Sequence, residues 1–117
     1  MDKFTIHRNS FQPLKFSGIL IGEADNSVSR DGNSSTRWVE IRIWRTKGNQ
    51  YVTSITRRTR WQGECDYVTA GCYATADDAI ASLKDDEGRL GVASQAAVEK
   101  AASADEGFAS AFVEEVE

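Results

Sequence analysis

The sequence predicts an α+β fold, a four-stranded antiparallel meander followed by two or three helices that cover one face of the sheet. Three observations predict it. Residues 36–46 alternate strictly, with Val39, Ile41 and Ile43 on one side and Trp38, Glu40, Arg42 and Trp44 on the other, the period of a strand. A second run rich in β-branched and aromatic residues, 50–61, follows across Lys47-Gly48-Asn49, whose Gly and Asn suit a tight turn. From Thr75 onward the apolar period becomes helical, and strands gathered ahead of helices favour α+β over a parallel βαβ arrangement.

The elements follow in order. Residues 1–12 read as an N-terminal arm, and 13–117 as a single domain. Leu14 to Ala24 is the first strand, interrupted by Gly18 and Gly22, with a bulge expected at one of them. Asp25 to Ser35 is a polar loop, long for a hairpin connection. The two alternating runs form the central hairpin. Gln62-Gly63-Glu64 turns the chain into a fourth strand, Cys65 to Ala74. Thr75 is the N-cap of a short helix that has Asp77 and Asp78 in its first turn and ends at Asp85-Asp86-Glu87-Gly88. Val92 to Ala102 is Ala-rich and helix-favouring. Ser103 is the expected cap of a last helix, roughly Asp105 to Val116, whose Phe108, Phe112 and Val116 form one stripe. Ile80, Leu83, Val98, Phe108 and Phe112 would pack on Val39, Ile41 and Ile43.

Composition bounds the function. The 117 residues suit one domain with a modest core, and no run nears the roughly 20 apolar residues that span a bilayer. Met1 to Ser10 has no apolar stretch of the signal-peptide kind, so a cytoplasmic protein without membrane contact is expected. One His (His7) and two Cys (Cys65 and Cys72) are too few for a zinc cluster, and nothing places His7 beside a thiol. No cofactor, metal or catalytic residue is therefore expected. Unless Gly71 or a turn doubles the segment back, Cys65 and Cys72 lie too far apart along an extended strand for a disulfide, so two free, half-buried thiols are expected. The charge is divided: residues 1–61 carry +6 and residues 62–117 carry −10, for a net −4.

Three clusters are candidates for contact with a partner. The first is the sheet face turned from the helices, Trp38, Glu40, Arg42 and Trp44, since Trp and Arg are enriched at binding hot spots. The same ladder could serve only to shield the sheet, and reversed faces would put both Trp in the core. The second is Arg57, Arg58, Arg60 and Trp61, extended by Arg37, Arg42, Arg45 and Lys47. Cations with interleaved rings suit nucleic acid, although the acidic total opposes it and pairing with the acidic helices competes. The third is Asp85, Asp86 and Glu87 within the acidic C-terminal half. It lacks the ligand alternation and terminal Glu of a calcium loop, so it is either a solvated face or a surface for a basic partner.

Gly18-Ile-Leu-Ile-Gly-Glu-Ala24, Arg37-Trp-Val-Glu-Ile-Arg-Ile-Trp-Arg-Thr46 and Gly48-Asn-Gln-Tyr-Val52 together resemble small accessory proteins of phages, plasmids and genomic islands, some of which are anti-defence inhibitors, including anti-CRISPR proteins. The resemblance spans about residues 14 to 64 and brings no catalytic residue with it. It implies a non-enzymatic binding protein acting on a host protein or nucleoprotein complex. The alternative is a small nucleic-acid-binding module using the Arg/Trp surface. An open face and an exposed edge strand also invite self-association, so a homodimer or a partner-bound state is expected.

Overall fold

Asn49 takes φ 60°, Thr46 N–H donates to the Gln50 carbonyl at 2.8 Å, and the tight turn read at Lys47-Gly48-Asn49 closes. It joins strands Arg37–Thr46 and Tyr51–Thr59 in the register that sets the rest of the molecule. The computed structural model describes residues 1–27 and 36–113. Within them, five strands form one antiparallel meander: β1 (Asp2–Ile6), β2 (Leu14–Asp25), β3 (Arg37–Thr46), β4 (Tyr51–Thr59) and β5 (Tyr67–Tyr73). Helices α1 (Ala76–Ala81), α2 (Val92–Ala104) and α3 (Glu106–Phe112) follow. The polar loop read at Asp25 to Ser35 lies mostly outside the described residues, as do Glu114, Glu115, Val116 and Glu117.

The fold class is as expected, but the strand count is not. The additional strand lies in the segment read as an arm. There Phe4 and Ile6 alternate with Lys3 and Thr5, and Phe4 pairs directly with Phe16 of β2. The segment is short and mostly polar, so its period of two is legible only beside Leu14 and Phe16, the residues it pairs with. The chain then crosses to the far edge of the sheet. Asn9 N–H donates to the Val68 carbonyl at 3.0 Å, and Asn9 Oδ1 accepts from Val68 N–H at 2.7 Å. Arg8 Nη1 donates to the Ala70 carbonyl at 3.2 Å. First and last strands are thus bridged, and the sheet is curled.

The aliphatic side of β3 faces the helices, as its alternation requires. Ile41 and Ile43 are fully buried with Ile21 and Tyr51 against Ile80, Leu83, Val98 and Phe108, while Phe112, expected in this core, is exposed. The bulge in β2 falls between Leu20 and Gly22, leaving Ile21 as the extra residue. Gly22 is where α2 crosses the sheet: a Cβ there would strike the Ala97 carbonyl and lie 3.0 Å from the Ala101 nitrogen. An Ala-rich helix suits this close approach.

Thr75 caps α1, its Oγ1 accepting from Asp78 N–H at 3.1 Å. The cap expected at Ser103 is instead Asp105. Ser103 lies in the last turn of α2, with its hydroxyl on the Glu99 carbonyl. Asp105 accepts from Phe108 N–H at 3.1 Å, the Tyr51 hydroxyl at 2.8 Å and Arg45 Nη1 at 3.0 Å. This carboxylate is buried, a position tolerable only because three donors from two parts of the fold satisfy it. Phe108 then packs edge-on against Tyr51, with ring centroids 5.0 Å apart.

Burial, and then the neighbouring Asp105, push the Tyr51 phenol up from 10 to about 12. A folded-state value above the unfolded one means that the protonated phenol stabilises the fold fully below pH 10, and that this is lost as pH rises from 10 through about 12. Tyr51→Phe is expected to cost about 1–2 kcal/mol at neutral pH in urea denaturation. Its stability is also expected to fall less steeply than that of the wild type across that alkaline window.

Candidate functional site

On the side of the sheet away from the helices, position decides what each residue becomes. Phe4, Phe16 and Trp44 form a three-ring cluster, with centroid separations of 5.4, 5.6 and 5.3 Å. Trp44 therefore does face away from the helices, as its parity requires, but it is only 5% exposed because β1 folds over it. In a curled sheet, turning from the helices is not the same as turning to water. The indole N–H of Trp44 is buried, with no partner among the described residues.

Next to these rings, register builds a ladder of charges. Arg42 stands opposite Glu23 across β2 and β3, with Nε 3.4 Å from the carboxylate. Arg42 is also 4.0 Å from Glu40, Glu40 is 3.1 Å from Arg58, and Arg58 is 2.9 Å from Asp66. Glu40 further accepts from Trp38 Nε1 at 3.2 Å. Four of the residues singled out in the sequence thus hold one another. Thr59 N–H and then Arg58 keep the Asp66 carboxyl below its ordinary range, while Asp66 and Glu40 raise Arg58.

The third region is the end of the sheet where β3 begins, β4 finishes and β5 begins. The Arg60 guanidinium lies 4.8 Å from the Trp38 ring centre, and that of Arg37 lies 5.7 Å from Trp61 while bonding Glu64 at 2.8 Å. Trp61 is held in the turn by its N–H on Thr59 Oγ1 and its carbonyl on Glu64 N–H, with Gly63 at φ 87°. Its side chain remains 54% exposed. Tyr67, 45% exposed, pairs with Arg57 across β4 and β5. Arg57 is exposed and shares the parity of Ile55, opposite to that of Arg58. A shallow hollow of about 290 Å³ borders Trp38, Arg57, Arg58, Cys65 and Tyr67.

The structure therefore stacks Arg60 on Trp38 and Arg37 on Trp61, and borders one hollow with Trp38 and Arg57, which have opposite parity in the sheet. It places Glu40, Arg42 and Arg58 in the ladder and seals Trp44. Arg45, read as an extension of the basic surface, binds Asp105 on the helix side. Asp85 shapes the loop between α1 and α2, with Oδ1 accepting from Glu87 and Arg89 N–H at 2.9 Å each. Asp86 and Glu87 are exposed there and share no hydrogen bond or ion pair with the Arg/Trp end among the described residues. Tyr67 is the member sequence reasoning missed; its signal was an aromatic two residues past Cys65, at the start of a strand antiparallel to the Arg run. Both cysteines are free and exposed rather than half-buried. Among the described residues no group of His, Cys, Asp and Glu is arranged to hold a metal, and no helix is long and apolar enough to cross a membrane.

No protein-family model, curated protein or solved structure matches the chain.

The ladder makes a measurable claim. A double-mutant cycle of Glu40→Gln and Arg58→Gln is expected to return a coupling of about 0.5–1 kcal/mol, larger at low salt, in chemical denaturation.

Proposed function

We propose that this protein acts by binding rather than by catalysis, and that the Arg/aromatic end of β3, β4 and β5 contacts a protein partner. The observation that carries this reading is the exposure of Trp61, stacked by Arg37, and of Tyr67, paired with Arg57, at the end of the sheet where Arg60 stacks on Trp38. Large rings presented to solvent among guanidiniums are the composition of interface hot spots. Backbone bonds in the turn fix where Trp61 sits, which lowers the ordering cost of binding. The setting in a mobile element, with a host defence complex as partner and inhibition as outcome, rests on the sequence resemblance.

Arg57 and Arg60 also support the nucleic-acid reading. Against it, Arg37, Arg42 and Arg58 already hold carboxylates of this chain, so much of the positive charge a phosphate backbone would need is spent internally.

The test is retention of a stoichiometric partner from lysate of the source cell by the immobilised protein. Retention is expected to survive nuclease, and to drop about tenfold or more in Trp61→Ala and Arg60→Glu, consistent with loss of a hot spot. Asp86→Lys is expected to bind normally. Loss on nuclease treatment, with an oligonucleotide mobility shift at low salt, would favour the nucleic-acid module. Loss in Asp86→Lys alone would move the contact to the acidic loop.

A further inference from the structure

The two edges of the sheet differ. At the β5 edge Asn9 takes both the N–H and the carbonyl of Val68, and Arg8 takes the Ala70 carbonyl. At the β1 edge, among the described residues, the backbone of residues 2–6 is bonded only by β2. An open edge is a row of N–H and C=O groups with which a further strand can pair. We propose that the outer edge of β1 accepts an extended segment of a partner protein in which acidic and apolar residues alternate. This contact is separate from the one proposed above. Asp2 pairs with Gly18 and Gly18 with Thr46, so β1 starts at the turn end of the central hairpin, opposite to the end that carries Trp38.

The two faces beside this edge specify the alternation. Lys3 and Thr5 pair with Ser17 and Lys15, which puts both lysines on the helix side of the sheet. α2 crosses β2 at Gly22 and leaves this corner uncovered: Lys3 and Lys15 are exposed, and Ile19 on the same face is 46% exposed. A hollow of about 360 Å³ bordered by Lys3, Thr5, Lys15 and Ser17 has no carboxylate in its lining. Lys47 stands next to it, its N–H donating to the Ser17 carbonyl at 2.8 Å. Among the described residues none of the three lysines forms an ion pair. Asp2, the single carboxylate of residues 1–22, has the opposite parity to Lys3. On that other face Phe4 and Ile6 are half-buried and Leu20 is 39% exposed. A strand laid along β1 therefore meets cations on one side and apolar groups on the other, and side chains of successive residues point to opposite sides.

Edge lysines guard a sheet against indiscriminate pairing. Here they do so by sign, repelling a basic strand and attracting an acidic one. A second copy of this chain is the poorer occupant. Antiparallel pairing of two β1 edges relates the copies by a two-fold axis through the sheet, which brings the Lys3 and Lys15 pairs of both copies onto one face.

The full chain, titrated with a capped peptide of about seven residues in which valine and glutamate alternate, tests the proposal through its amide resonances. Saturable shifts are expected at Lys3, Phe4 and Thr5, with none at the Trp61 indole. Affinity is expected to fall about tenfold for a valine–lysine peptide, and about tenfold for the acidic peptide N-methylated at alternate residues, which cannot complete the backbone pairing. The double variant Lys3→Glu, Lys15→Glu is expected to prefer the basic peptide. Should that variant not fold, the three peptides on the wild type still decide. No saturable shift in the millimolar range, equal affinity for acidic and basic peptides, or indifference to N-methylation would overturn the proposal. A single-stranded oligonucleotide that moves the same amides and binds more tightly than the acidic peptide would overturn it in favour of a phosphate-binding surface.

Discussion

The structure depends on one constraint: both faces of β3 are occupied, by different materials, at a period of two. Ile41 and Ile43 are buried under the helices, while Trp44 is buried under Phe4 and Phe16 on the opposite side. A slip of one residue would drive Trp44 into the helix core and place Ile43 among the charged groups of the ladder. The register with β4 is therefore fixed from both sides. The rest follows from it: Arg42 meets Glu23, Glu40 lies within reach of Arg58, and Arg45 meets Asp105.

The helices are attached by two devices of different kinds. One is close packing, where Gly22 lets α2 approach the sheet backbone. The other is polar. Asp105 ends α2, starts α3 and bonds both Tyr51 and Arg45 of the sheet. A buried carboxylate is costly unless it is paired and hydrogen-bonded, and here its three donors fix where α3 begins. Gly107 belongs to the same arrangement, because a Cβ there would collide with the Tyr51 hydroxyl.

Much of this was legible in the chain. The hairpin and its faces follow from the alternation of residues 36–46, the bulge from a Gly in β2, and the first helix from Thr75 with its acidic first turn. What escaped was nonlocal. β1 is too short to declare itself without Phe16 opposite Phe4. The curl depends on Asn9 reaching Val68, 59 residues away. Arg37–Glu64, Arg58–Glu40 and Arg45–Asp105 join residues 27, 18 and 60 apart, so no local pattern separates a paired Arg from one turned to a partner. Ser103 and Asp105 are both good caps by residue type. The choice between them was made by Tyr51 and Arg45, which lie far away in sequence.

The curl also separates two surfaces that a flat sheet would have merged. The arginines and rings at the end of the sheet stay outside, while Trp44 is buried beneath Phe4 and Phe16. Through-space proton contacts from the Trp44 indole test this arrangement most directly. The account predicts contacts to the rings of Phe4 and Phe16, with none to Phe108 or Val98. Contacts to Phe108 or Val98 instead would mean that β3 presents its other face to the helices, and would contradict it.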